Sequence, residues 1–262
     1  MTATVKTENF TMDYCCFGNG KKAFVIIPGL STGKLSPLET ALKAEYSNFT
    51  DDFTVYLFDR RNEIPVFYDT ADMAEDTAKA MAELGLENVC LYGTSQGGMI
   101  VQLIAENHPE LVDRLIIASS SSRPGKVCSD TIGRWLDIAK AGDGKALNRD
   151  MIDKCYSAAY INRYRELMDS CIVDMSREVL DKFIMLAAPI ITFDHFEDLK
   201  KIQCKTLVIG CEGDLVFSPE PAKDMAKALD CRLVMYGKKF GHCVYDENPD
   251  CISELLSFAT EE

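Results

Sequence analysis

The sequence predicts an α/β fold: a mostly parallel central sheet, helices on both faces, and an inserted helical cap. Three observations lead there. Short, wholly apolar runs of β-type residues recur at 23–27, 89–92, 115–118 and 206–209, and helix-periodic stretches separate most of them. Strands that are apolar on both sides belong to sheets covered on both faces, whereas a sheet wet on one face alternates. From 123 to 199 this rhythm stops, and only amphipathic helical stretches remain. The chain's 262 residues, 47% of them hydrophobic, suit one such domain and exclude a disordered chain.

In chain order, residues 4–14 alternate like edge strands, and Gly18-Asn19-Gly20 reads as a hairpin turn. Strand 23–27 ends at Pro28-Gly29-Leu30-Ser31, and a short helix is expected over 38–46. Strand 53–58 closes on Asp59-Arg60-Arg61. A helix over 73–84 gathers Ala74, Ala78, Met81 and Ala82 on one side and stops at Gly85. Strand 89–92, a helix to His108-Pro109 and strand 115–118 follow. The insertion reads as helices over 130–141, 148–160, 163–171 and 176–188, the last behind a Ser176 cap. Strands 206–210 and 232–236 and a helix over 251–259 close the chain. The expected division is therefore a core of 1–122 and 200–262 with a cap of 123–199, lying over the strand ends where open α/β sheets bind ligands.

A net charge of −13 argues against nucleic acid or anionic membrane surfaces as partners. The start carries no apolar signal region, and no apolar run is long enough to span a bilayer. Eleven cysteines, an odd count without a C-x-x-C pair or zinc spacing, read as reduced thiols of a cytoplasmic protein. No metal or organic cofactor is expected.

The chemistry centres on Gly93-Thr94-Ser95-Gln96-Gly97-Gly98, between the strand 89–92 and an apolar helix. Strand, glycine-rich turn and helix is the context of a G-x-S-x-G nucleophile elbow, in which neighbours without side chains let the backbone bend sharply and present the hydroxyl. The helix N-terminus adds free N–H groups near the charge that forms in acyl transfer. A serine nucleophile needs a base, and the base needs an orienting acid. Of three histidines, His108 lies about 20 Å along the helix from Ser95 at 1.5 Å per residue, too far to reach. His242, after the last strand, is favoured over His195, which lies in the return from the insertion and stays open. Asp214, in the loop after strand 206–209, is favoured as the acid over Glu212, and the order Ser, Asp, His fits the elbow motif.

Four pieces, Pro28-Gly29-Leu30, Gly93 to Gly98, Gly210 to Asp214 and Gly241-His242, together resemble the α/β-hydrolase fold superfamily over the whole chain except the insertion. The resemblance implies a triad of Ser95, His242 and Asp214, and an oxyanion hole from the backbone N–H groups of Leu30 and Gln96. Many members carry His-Gly where this chain has Pro28-Gly29. Asp59-Arg60-Arg61 is similar to the structural Asp-x-Arg-Gly turn of relatives, with Asn62 in place of the glycine.

Other signals are discounted. Gly29 to Lys34 is one residue short of a phosphate loop, and Leu35 stands where Ser or Thr is needed. Tyr156, Tyr160 and Tyr164 read first as cap packing; Trp135, Tyr156 and Tyr160 are the cap candidates for substrate contact. Cys243 beside His242 reads as a buried bystander. The expected activity is hydrolysis of a small ester or thioester through an acyl-enzyme. Alternatives are carbon–carbon cleavage or a lyase on the same triad, or a non-catalytic binding protein on a hydrolase scaffold.

Overall fold

The computed structural model describes residues 2–33 and 39–261. Eight strands form one sheet among them: β1 (Thr2–Lys6), β2 (Thr11–Gly18), β3 (Lys22–Ile27), β4 (Phe53–Arg61), β5 (Val89–Thr94), β6 (Val112–Ala118), β7 (Lys205–Cys211) and β8 (Arg232–Tyr236). Their order is β1-β2-β4-β3-β5-β6-β7-β8, antiparallel at the β1-β2-β4 edge and parallel from β4 to β8. The apolar runs fill the centre: Leu91, Leu115, Ile116, Leu207 and Val208 are fully buried.

Helices cover both faces. One face packs on α2 (Thr70–Glu83), α3 (Gln96–Asn107) and α9 (Glu220–Ala228), through residues such as Met73, Ile100 and Met225. The other meets a short turn at Tyr46 and Phe49, beyond α1 (Glu39–Glu45), and the closing helices α10 (Val244–Glu247) and α11 (Pro249–Thr260), whose Leu255 and Phe258 join it. Between β6 and β7 stand α4 (Lys126–Ala141), α5 (Gly144–Cys155), α6 (Ala158–Arg163), α7 (Arg165–Ser170) and α8 (Arg177–Thr192). Their shared core of Trp135, Leu147, Leu180 and Phe183 continues onto Met99, Val216 and Phe217 of the sheet-bearing part.

Several expectations are corrected. Gly18-Asn19-Gly20 does not close a hairpin, because β4 lies between β2 and β3 and pairs with both. Asp59-Arg60-Arg61 is not a turn but the last part of β4, where pairing with β2 continues to Arg61. The helix expected over 148–160 is two, because Tyr156 turns extended and the Ser157 hydroxyl caps α6 by accepting from Tyr160 N. Of the helix expected over 38–46, Leu38 lies outside the described residues, as do Lys34 and Leu35 of the discounted loop. The Ser176 cap holds α8 as expected, and the helix runs on to Thr192 through Pro189.

Because β5, β7 and β8 run parallel, the loops after them open on one edge of the sheet, and Ser95, Asp214 and His242 stand in those loops.

Candidate active site

Ser95 sits between β5 and α3 with φ 53° and ψ −121°, a left-handed conformation that costs a non-glycine residue of order 1–3 kcal/mol. Its neighbours hold that bend. Ser95 N donates to Ala118 O (3.0 Å), and Ser95 O accepts from Gly98 N (3.0 Å) and from the Ser120 hydroxyl (2.7 Å). A Cβ at Gly97 would stand 2.0 Å from Ile27 O and 2.6 Å from Pro28 O, so only glycine lets the turn lie against the end of β3.

His242 and Asp214, the expected base and acid, meet each other. His242 Nδ1 lies 2.8 Å from Asp214 Oδ2, with both side chains almost wholly buried. The other carboxylate oxygen, Oδ1, accepts from Val216 N (2.7 Å) and Phe217 N (2.9 Å), so backbone amides fix the carboxylate before it meets the ring. The Asp214 loop reaches the His242 loop because Gly213 has no side chain: a Cβ there would lie 2.2 Å from Phe240 O. The Phe217 ring lies against His242 with centroids 5.5 Å apart.

Ser95 and His242 both open into a cavity of about 260 Å³, with Gly29 and Leu30 on its wall. Among the described residues no hydrogen bond joins the Ser95 hydroxyl to the His242 ring, a contact that in many enzymes tightens only with substrate bound. The helices between β6 and β7 supply the roof: Trp135, Asn148, Met151, Ile152, Cys155 and Tyr156. Among the lining residues only His242 has a side chain that carries charge near neutral pH.

The remaining sequence candidates fall as follows. Gln96 is buried as the first residue of α3, and Leu30 lines the cavity. Trp135 and Tyr156 line it too, Trp135 Nε1 donating to Asp150 Oδ2 (3.0 Å) and Tyr156 OH to Asp246 Oδ2 (2.8 Å). Tyr160 does not line it; it stacks on Tyr156, with centroids 5.2 Å apart. Cys243 is buried and lines the cavity, where a hydrogen bond with the neighbouring Cys155 thiol, and then burial, push its own thiol well above the ordinary range. Among the described residues no disulfide joins any of the eleven cysteines. His195 is elsewhere, 3.0 Å from Glu106 Oε2 but out of hydrogen-bond alignment, and Glu212 pairs with Lys223 (2.8 Å). His108, at the far end of α3, meets Glu75 (2.9 Å). Sequence reasoning missed the roof residues Asn148, Met151 and Ile152; their i, i+3, i+4 spacing in α5 was the available signal.

A family model described as alpha/beta hydrolase fold matches residues 22–138. A Caulobacter segnis protein, provisionally named carbamate hydrolase RutD, is 36% identical over 194 residues, 72% of each chain. The pyrrolizixenacetamide deacetylase of Xenorhabdus hominickii is 26% identical over 180 residues, 66% of this chain and 65% of that one. The crystal structure of MGS-M2, an alpha/beta hydrolase enzyme from a Medee basin deep-sea metagenome library, superposes with a TM-score of 0.87. It is 21% identical in sequence and covers 99% of this chain and 98% of that one. Sheet, elbow and relatives thus define a hydrolase by class. The chain belongs to the α/β-hydrolase fold family. No helix among the described residues is long and apolar enough to cross a membrane.

Burial by itself would push the His242 imidazolium down, but the Asp214 carboxylate reverses this and holds its pKa above the ordinary histidine value. At His195, burial pushes the pKa down despite Glu106. Titration by NMR should therefore show the His242 ring losing its proton above pH ~6.5 and the His195 ring below it. In Asp214→Asn the largest influence opposing burial is lost, so the His242 midpoint should drop. A wild-type His242 midpoint at or below the ordinary value would contradict this electrostatic account.

Proposed function

We propose that this hydrolase cleaves a small, uncharged carboxylic ester or thioester through Ser95, His242 and Asp214. The observation that carries it is the buried Asp214–His242 pair at 2.8 Å, whose ring opens on the same cavity as a serine held in an elbow backbone. Asp214 accepts a hydrogen bond from Nδ1–H, which keeps the proton on Nδ1 and leaves Nε2 as the acceptor facing the cavity. Ser95 Oγ attacks the carbonyl carbon as Nε2 removes its proton. The carbonyl oxygen becomes an oxyanion stabilised by the N–H groups of Leu30 and Gln96. The imidazolium then protonates the leaving alcohol or thiol; water, deprotonated by the same ring, attacks the acyl-enzyme, and the ring returns that proton to Ser95 Oγ as the acyl–Oγ bond breaks and the acid leaves. The roof of α4 and α5 supports assigning 123–199 as a cap that shapes the acyl pocket, over a core of 1–122 and 200–262. Eleven cysteines without a disulfide fit a reducing cytoplasm.

A second reading is cleavage of a carbamate or amide by the same steps, with an amine leaving. The names of the Caulobacter and Xenorhabdus relatives favour it.

Single substitutions separate the assigned roles. His242→Ala should lower kcat on the order of 10³-fold or more, and Asp214→Asn severely, through the wrong tautomer. His195→Ala and Glu212→Gln should stay within a few-fold of wild type. Reversal within either pair would move the base or the acid to the other residue.

Substrate length tests the cap. Each methylene buried in the cavity should gain about 0.8 kcal/mol until the space is filled. A series of p-nitrophenyl esters should then show kcat/KM rising with acyl length and breaking, with charged acyl groups disfavoured. A flat profile out to long chains means an open groove and removes the cap assignment. Matched ester, thioester and carbamate series assign the leaving group: faster carbamate turnover selects the second reading.

A further inference from the structure

Arg60 is buried at 4% exposure near the end of β4, and among the described residues it forms no ion pair with any carboxylate. A guanidinium removed from water without a carboxylate is a costly thing to keep. Its Nη2 instead donates to Pro28 O (2.9 Å) and to Gln96 Oε1 (3.3 Å). Gln96 Nε2 in turn donates to Leu186 O of α8 (2.5 Å). Arg60 Nε, also buried, has no partner. One cation thus ties three separate segments: the loop after β3, the first residue of α3, and a helix of the cap.

Both oxyanion donors lie on the first two of these segments. Leu30 N–H is two residues after the Pro28 carbonyl, and Gln96 supplies the other N–H itself. A backbone donor lowers a barrier only if its peptide is already aimed and does not turn when charge develops. The peptide of Pro28 is planar, so gripping its carbonyl oxygen fixes the plane from which Gly29 and Leu30 continue. That grip is charge-assisted, and therefore stronger than one from a neutral donor.

We propose that Arg60 is a positioning residue for the oxyanion hole, holding the Leu30 and Gln96 amides in register from behind and linking them to α8 through the Gln96 side chain. This rests on Ser95 being the nucleophile, and it assigns Arg60 no contact with the substrate. An arginine that merely braced the sheet would affect folding stability but not the preference for a tetrahedral adduct over the ground-state substrate.

The test uses the full chain with Arg60→Met, of similar length and neutral, and Arg60→Lys, which keeps a cation but loses the planar guanidinium whose Nη2 reaches both acceptors. Thermal melts establish which variants are folded. Each is assayed with p-nitrophenyl butyrate and with a butyl trifluoromethyl ketone, which forms an oxyanion adduct on the nucleophile. Arg60→Met should lose roughly 10- to 100-fold in kcat, with KM within about threefold of wild type, and ketone affinity should fall in parallel with kcat/KM. Arg60→Lys should fall between the two and carries the test if Arg60→Met does not fold. A folded variant with wild-type kcat and ketone affinity, or with only KM raised, overturns the assignment. Ser95→Ala in the same assays separates the two claims. If it is inactive while the Arg60 variants behave as wild type, only the role of Arg60 falls. If it remains fully active, the nucleophile itself is wrong.

Discussion

The bend of the backbone at Ser95 is the constraint on which the rest of the site depends. A residue with a side chain is held at φ 53° because that geometry lifts a hydroxyl off the strand end into a cavity. The strain must be met by contacts made elsewhere. Two come from residues distant in sequence, Ala118 at the end of β6 and Ser120 just beyond it, which grip the Ser95 peptide groups, while the bare Cα of nearby Gly97 lets the turn settle against the carbonyls at the end of β3. A parallel sheet supplies these neighbours as a matter of course, since it sets successive strand ends side by side.

The second layer is electrostatic. Asp214 spends one oxygen on two backbone amides and the other on His242, so the ring is held by a carboxylate that cannot swing away. Around this pair the cavity wall brings no second charge near the serine, although the molecule as a whole carries −13. In the cavity, the low polarity strengthens the few interactions that remain.

Much of this was legible in the sequence because its signals are local. Apolar runs such as 23–27 and 115–118 mark strands covered on both faces, and Gly93 to Gly98 marks the elbow. Topology alone then brings Asp214 and His242 to the serine's edge and leaves His108 at the far end of α3. What was not legible depends on partners far apart in the chain. Gly18-Asn19-Gly20 looks like a hairpin until β4, more than thirty residues later, is seen to pair between the flanking strands. Arg60 resembles part of a structural turn, because its acceptors, Pro28 O and Gln96 Oε1, are 32 and 36 residues away. The roof is similar: Tyr156 and Tyr160 share a helical spacing, yet the break at Ser157 puts one on the cavity wall and the other behind it.

The proposal on which the rest depends is that Ser95 carries an activated hydroxyl. Peptide mapping by mass spectrometry after reaction with a fluorophosphonate tests it most directly. The expected result is a single adduct, on the peptide that contains Ser95, formed with fluoride as leaving group and blocked by heat unfolding beforehand. An adduct on Ser119, Ser120 or any other residue, or a native protein that reacts no faster than the unfolded chain, would contradict it.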